Sequence, residues 1–227
     1  FFVDEETREK LISEDAKNAE LIQPMVRGRG IIPYGVSESE YLINTHNGIK
    51  EIALPPVNID EYPAIKKYLD AFYSQLAKRG DKGHTPYNLR NCAYLEEFSK
   101  PKILYPNMTS TFPFLYDENG FYSNDKSFIL TAQDESVSLP FLTAVFNSSL
   151  TKLWIWYNCP ELQGGTREIR KVYFEHFPVP HANKEQTKTL SKLALNRTDL
   201  TGNLKEITSK FIRTIQRKFD LEKMSNK

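Results

Sequence analysis

Two short stretches of the sequence combine glycine with arginine, in a pattern suited to binding phosphate. The first is Arg27-Gly28-Arg29-Gly30, and the second is Gly164-Gly165-Thr166-Arg167, with Arg170 just after it. Glycine lets the backbone approach a partner closely, and the planar guanidinium group can donate two parallel hydrogen bonds to one phosphate or to a guanine edge. Both stretches are candidate phosphate-binding loops, although solvated surface turns would have the same composition.

A further set of cations gathers at and beyond the end of a predicted helix. Tyr62–Arg79 carries apolar residues at helical spacing, and Pro63 suits the first turn. The basic residues in question are Lys78, Arg79, Lys82 and Arg90. These side chains could position a phosphate backbone, but the helix dipole would attract cations to this end without any ligand.

The residue types of a catalytic site are present but are not arranged as one. The four histidines are scattered without ligand spacing, which supports no metal site. The sequence has no nucleophile elbow, phosphate-binding loop or dinucleotide fingerprint. Leu54-Pro55-Pro56-Val57 is not the Asn-Pro-Pro-Tyr of an adenine-N6 methyltransferase active site. We therefore expect a chain that binds a partner, with no catalytic residue, metal or cofactor of its own.

Composition indicates an ordinary folded protein whose charge is unevenly distributed. The 227 residues carry a net charge of +1, yet residues 1–20 hold seven acids against three bases. Residues 184–227 hold eleven bases against five acids, which allows a basic face on a nearly neutral molecule. Two cysteines are too few for a disulfide framework and suggest a reducing cytoplasm. Polar residues interrupt the apolar run Phe141–Tyr157, so no membrane span is expected.

The order of the predicted elements favours an α+β fold. Phe1–Val3 reads as a strand, and Glu5–Ser13 as a helix capped by Asp4. Lys102–Tyr105 is a further strand. Phe112–Tyr116 and Phe121–Ser127 are predicted to form a hairpin around the turn Asp117-Glu118-Asn119-Gly120. The aromatics of this region are expected to form β core, with a base-stacking platform as the alternative.

The last third of the sequence predicts helices and then an arm. Leu139–Tyr157 reads as one or two buried helices, apolar nearly all round. Phe177-Pro178-Val179-Pro180 ends the globular part, giving a domain of residues 1–180 and an arm of residues 181–227. Within the arm, Glu185–Asn196 and Leu204–Phe219 read as two basic helices whose thin apolar stripes need a partner surface.

Several of these segments together resemble one family. Lys-Pro-Lys-Ile-Leu-Tyr-Pro at 100–106, followed by Gly-Phe-Tyr-Ser-Asn-Asp at 120–125, resembles the TaqI-like C-terminal specificity domain of adenine-specific DNA methyltransferases and type IIG restriction–modification enzymes. The other matching segments, in the same order, are Phe2–Asp4, Leu21–Ile31, Tyr62–Arg90, Phe141–Ser148, Gly164-Gly165 and Phe177–Pro180.

The resemblance implies a mixed β-sheet target-recognition domain with flanking helices and a C-terminal helical arm, which selects a sequence in double-stranded DNA. It also implies a methyltransferase domain upstream in the parent chain, which uses S-adenosylmethionine, with a fused endonuclease in some members. The two glycine loops would then face DNA. Two alternatives stay open: a stand-alone specificity-type subunit that docks a separate methyltransferase, and a fragment with residual nuclease activity.

Overall fold

The structure is a computed structural model that describes residues 1–134 and 136–219, and within these residues the chain divides into two compact units. Unit 1 consists of Phe1–Arg27, Glu38–Lys102 and Asp117–Asn124. Unit 2 consists of Gly28–Ser37, Ile103–Tyr116 and the described chain from Asp125 onward. Each unit is therefore assembled from stretches that are not contiguous in the sequence, and each has its own sheet and core.

The elements confirm the α+β prediction. The helices are α1 (Glu5–Glu14), α2 (Pro63–Asp70), α3 (Tyr73–Lys78), α4 (Leu139–Phe146), α5 (Ser149–Asn158), α6 (Lys171–Phe174) and α7 (Lys184–Lys218). The strands are β1 (Phe2–Val3), β2 (Ile22–Val26), β3 (Ile31–Ile32), β4 (Gly35–Val36), β5 (Glu40–Ile43), β6 (Lys102–Pro106), β7 (Met108–Thr109), β8 (Leu115–Asp117), β9 (Tyr122–Ser123), β10 (Ser127–Thr131) and β11 (Arg167–Glu168). None of the helices in the described ranges is long and apolar enough to cross a bilayer.

Unit 1 is built on a mixed sheet of order β1-β5-β2-β9, in which only the β2–β9 pair is parallel. The start of the chain follows the prediction, because Asp4 accepts a hydrogen bond from the Thr7 amide and caps α1. The core lies between this sheet and helices α1 to α3. It contains Ile22, Ile43, Ile65, Leu69 and Leu76.

Unit 2 is built around an aromatic core under the sheet β10-β6-β8, although the first residue of β6 and the last of β8 belong to unit 1. The ring centroids of Phe114 and Phe146 lie 5.1 Å apart, and those of Phe146 and Phe174 lie 5.0 Å apart. Phe112 and Phe114 are buried in this core, as predicted, rather than exposed for base stacking. Neither lies in a strand, because β8 begins only at Leu115 and Phe112 has a φ of 50°.

The predicted hairpin is wrong although its turn is right. Asp117 accepts hydrogen bonds from the amides of Asn119 and Phe121, and Gly120 has a φ of 78°. After this turn the chain does not return along β8. Instead, β9 pairs in parallel with β2, while β8 lies beside β6. The turn itself depends on residues next to one another in the sequence. The choice of strand partner depends on contacts with distant parts of the chain.

Two helix predictions also need correction. The helix over Tyr62–Arg79 is broken into α2 and α3, because the Phe72 amide bonds to the carbonyl of Leu69 and tightens the turn. The run from Leu139 to Tyr157 forms α4 and α5, but α5 is not buried all round. It exposes Leu150, Leu153, Trp156 and Tyr157.

The arm is one continuous helix rather than the two that were predicted. Asn183 and Gln186 form a capping box at the start of α7, and the helix passes through Gly202 to Lys218. Its first half packs on α4, where the hydroxyls of Ser191 and Ser138 lie 2.9 Å apart and Ala194 is buried. The division into a domain of residues 1–180 and an arm of 181–227 stays a prediction.

Candidate nucleic-acid interface

The two arginines of the first glycine–arginine loop differ in their exposure. In unit 1, Arg27 follows β2 and is engaged by its own chain, since Nη2 lies 2.7 Å from a carboxylate oxygen of Glu40. The same guanidinium lies 4.7 Å from the ring centroid of Phe2. In unit 2, Arg29 is exposed within a short 3₁₀ turn. Arg29 is therefore the more exposed arginine of this loop.

Close packing requires glycine at position 28. The residue is buried, and a Cβ at this position would lie 2.7 Å from the carbonyl oxygen of Lys126. A real Cβ does not tolerate such a distance to backbone, so the chain must pass here without a side chain.

The second loop is shaped by two left-handed glycines. Gly164 and Gly165 have φ values of 73° and 76°, a conformation that favours glycine. The Leu162 amide donates to the carbonyl of Thr166 at 2.7 Å and closes the loop. Gly164 is exposed, whereas Gly165 and Thr166 are half-buried. The exposed backbone at Gly164 is thus the most accessible part of this loop.

Neither arginine that follows this loop lacks a partner. Only 8% of Arg167 is exposed, and its guanidinium lies 4.3 Å from the Trp156 ring centroid and 3.2 Å from a carboxylate oxygen of Glu161. Arg170 is exposed and lies 2.8 Å from Glu168. Arg167 consequently holds the loop against α5, and its interactions stabilise unit 2.

The basic residues at the end of α3 include one that is bonded within the fold and two that are exposed. Arg79 donates to the carbonyls of Pro86 and Asn88 at 3.1 and 2.9 Å, and it covers the Phe1 ring at 4.7 Å. Lys78 is exposed. Lys82 is also exposed, although its amine donates to the carbonyl of Ala77 at 2.7 Å. Arg79 therefore has a structural role, which is to hold the loop at residues 86–88 and not to complement the helix dipole.

Lys82 and Arg90 line one cleft in unit 1. It has a volume of about 800 Å³ and lies between the segments 47–56 and 82–93. Lys50 and His84 also line it, together with a single carboxylate, Glu51. Lys50 is not among the residues predicted from the sequence, because no spacing pattern links it to Arg90 on another segment.

Two groups in and beside this cleft have shifted acidities. Burial raises the pKa of the Cys92 thiol, and nearby Arg90 acts in the opposite direction. Burial lowers the pKa of His46, whose Nδ1 accepts a hydrogen bond from the Gly48 amide at 3.2 Å. Across residues 1–134 and 136–219, no group of three or more His, Cys, Asp or Glu side chains is arranged to hold a metal ion.

The chain shares its sequence pattern with a protein family and its fold with a solved enzyme. Residues 23–179 match the TaqI-like C-terminal specificity domain. The Type II methyltransferase M.BstVI of Geobacillus stearothermophilus is 23% identical over 127 residues, which make up 55% of this chain and 22% of the methyltransferase. The Type IIL restriction-modification enzyme MmeI, solved in complex with DNA, has a similar fold, with a TM-score of 0.63 at 13% identity.

The structural similarity covers 89% of this chain and 26% of MmeI. The chain therefore spans about a quarter or less of either relative. The family match covers more than half of the chain, and the chain belongs to the TaqI-like C-terminal specificity domains.

Proposed function

We propose that this chain is the part of a restriction–modification enzyme that recognises double-stranded DNA, and that it carries out no catalysis by itself. The observation that carries the proposal is the match of residues 23–179 to a specificity domain. The similar fold in MmeI, which was solved with DNA, supports the same partner. Exposed cations, namely Arg29, Lys78, Lys82 and Arg90, supply the charge that phosphate contacts need.

The chemistry of the whole enzyme would come from elsewhere in the parent chain. We place there a methyltransferase domain that binds S-adenosylmethionine and methylates the N6 atom of adenine, with or without a fused endonuclease domain. The similarity to M.BstVI, a Type II methyltransferase, supports the methyltransferase part. In this arrangement the present chain holds the DNA and selects the site.

Binding of a fluorescently labelled duplex of mixed sequence tests the DNA assignment. Because nonspecific affinity comes from neutralised phosphates, log K should fall linearly with log salt concentration, by about 0.9 for each phosphate contact. Fluorescence anisotropy at several salt concentrations measures this slope. Absence of binding at low salt, or binding independent of salt, would contradict the proposal.

Methylation assays test whether catalysis requires the part of the parent protein outside this chain. The full-length protein, incubated with S-adenosylmethionine and plasmid DNA, should produce N6-methyladenine, detected by mass spectrometry of the digested nucleosides. The present chain alone should produce none, and with magnesium it should leave the plasmid uncut. Plasmid cleavage by the chain alone would instead favour a fragment with nuclease activity.

An apolar stripe on α7 supports a methyltransferase surface as a second partner. The exposed residues of the stripe are Leu193, Leu200, Leu204, Ile207 and Phe211. They repeat at helical spacing, and contiguous exposed apolar surface usually marks an interaction site. The stripe could contact a methyltransferase domain of the same chain or a separate methyltransferase subunit. A methyltransferase encoded upstream in the same reading frame would favour the fused enzyme.

A double variant tests the stripe. Leu204→Glu with Ile207→Glu should abolish methylation by the full-length protein and leave DNA binding by the present chain unchanged. Lys205→Glu on the same helix is the matched control and should preserve methylation. If the double variant methylates as well as the control does, the stripe is not the methyltransferase contact.

A further inference from the structure

The cleft in unit 1 has walls that are tied together by side-chain amides. Asn47 Oδ1 accepts a hydrogen bond from the His84 amide at 2.5 Å, and Asn47 Nδ2 donates to Asn91. Asn88 is buried and donates to the carbonyl of Val57 at 2.9 Å. These bonds join the segments 47–57 and 82–93, which makes the cleft a preformed feature.

Close packing of Gly83 completes this frame. A Cβ on Gly83 would lie 2.4 Å from both Asn47 Oδ1 and the carbonyl oxygen of Leu89. The Gly83 amide donates to the Asn88 carbonyl at 3.0 Å. Glycine at this position lets the two walls approach each other.

The cations of the cleft have no acidic partner among the described residues. Within the two described ranges, no carboxylate forms an ion pair with Lys50, Lys82 or Arg90. Glu51 is the one carboxylate on the lining, so the three cations leave an excess of positive charge. Excess positive charge in a preformed cleft attracts anions.

We propose that this cleft binds a phosphodiester segment of a DNA strand, an inference that rests on the proposed function and places it at a specific site. Ligand pockets commonly have volumes of roughly 300–1,000 Å³, and the 800 Å³ of this cleft fits a nucleotide segment better than a lone phosphate. Arg90 can form a bidentate contact with a phosphate, while Lys50 and Lys82 act as point charges. The side-chain amides of Asn47 and Asn91 line the same cleft.

Charge removal inside and outside the cleft tests the site. In Lys50→Gln with Arg90→Gln, the slope of log K against log salt for a mixed-sequence duplex should become shallower by about 0.9 for each phosphate that the variant no longer neutralises. Lys10→Gln with Lys67→Gln is the matched control, because both lysines are exposed in unit 1 and neither lines the cleft. An equal change of slope in the two double variants would overturn the proposal.

Cys92 gives a direct readout of occupancy, because it lines the cleft while the other cysteine, Cys159, is buried. The duplex should slow alkylation of Cys92 by a thiol reagent, measured by mass spectrometry at alkaline pH. The Lys50→Gln with Arg90→Gln variant should lose this protection. Rates with and without DNA are compared within each variant, since loss of Arg90 itself alters the thiol.

The outcomes separate this site from the proposed function. If the duplex binds and Cys92 reacts at an unchanged rate, the cleft assignment is overturned and DNA recognition stands. If the duplex does not bind at all, the proposed function and the cleft assignment both fall. Inorganic pyrophosphate is the third arm: protection by pyrophosphate without protection by the duplex would mean a small-anion site, which also overturns the DNA assignment.

Discussion

The glycine–arginine loops and the cleft of unit 1 use their positive charges in opposite ways. In the loops, Arg27 is paired with Glu40, and Arg167 is covered by Trp156 and paired with Glu161. In the cleft, Lys50 and Arg90 have no ion-pair partner in the described part of the chain. Arginine beside glycine is the stronger pattern in the sequence, yet the structure pairs Arg27 and Arg167 and leaves the two cleft cations without an ion pair among the described residues.

The type of a charged residue and its availability to a ligand are therefore separate properties. A guanidinium that is stacked on an aromatic ring and paired with a carboxylate already interacts with its own chain. Recruiting it to DNA would require breaking those interactions first. A cation without a carboxylate partner has no such cost, apart from its own hydration.

The largest loss of stability is expected from breaking a fully buried ion pair. Lys102 and Asp117 form an ion pair at 2.6 Å, with side chains 0% and 1% exposed, and the Lys102 amine also donates to the Phe98 carbonyl at 2.5 Å. Lys102→Met leaves a buried carboxylate unpaired and should cost about 3–5 kcal/mol of unfolding free energy. Urea denaturation measures this loss.

Lys100→Met is the control for that experiment, because Lys100 is exposed although it pairs with Glu97. Its denaturation midpoint should match that of the unchanged chain. Equal midpoints for Lys102→Met and Lys100→Met would mean that the buried pair does not hold unit 1 together.

The second effect sharpens the comparison at the cleft. Gly83→Ala forces a methyl group to within 2.4 Å of two oxygen atoms and should cost about 1–3 kcal/mol as an overpacking substitution. It should also raise the alkylation rate of Cys92 as the walls separate. Gly80→Ala is matched, since nothing lies within 4 Å of a Cβ there, and it should change neither quantity. A neutral Gly83→Ala would argue against a rigid cleft.

The third effect separates the two kinds of arginine. Arg167→Gln removes the stack on Trp156 and should lower the unfolding free energy by about 0.5–2 kcal/mol while leaving the salt dependence of DNA binding unchanged. Arg29→Gln should instead make the slope of log K against log salt shallower, because Arg29 is exposed. Paired denaturation and anisotropy measurements decide between the roles. A larger binding loss for Arg167→Gln than for Arg29→Gln would restore the second loop as a DNA contact.

The smallest expected effect is a pH dependence beside the cleft. Burial lowers the pKa of His46 below its ordinary value of 6.5, so the folded state binds the proton less well than the unfolded state does. The free energy of unfolding therefore has its full value above the unfolded pKa of His46. It decreases as the pH falls towards the lower folded pKa, because the unfolded state binds the proton first.

Urea midpoints measured from about pH 7 down to about pH 5 should therefore decrease, and His46→Gln should flatten the trend because glutamine does not titrate in this range. An identical decline in His46→Gln would assign the pH dependence to other groups.

Sequence alone determined the family, the α+β class and several local features. The Asp4 cap on α1, the turn at Asp117–Gly120 and Pro63 at the start of α2 follow from local rules, because each depends on bonds within a few residues. The combination of separated segments, in order, is specific enough to indicate the family from the sequence alone.

Tertiary structure decided which strands pair, where helices break and which charges are available to a ligand. The partner of β9 is β2, far away in sequence, and no turn residue encodes that choice. Likewise, Arg27 finds Glu40 and Arg167 finds Trp156 only when the chain has folded. Lys50 and Arg90 meet in one cleft for the same reason. Availability of charge depends on long-range neighbours, which a local pattern does not contain.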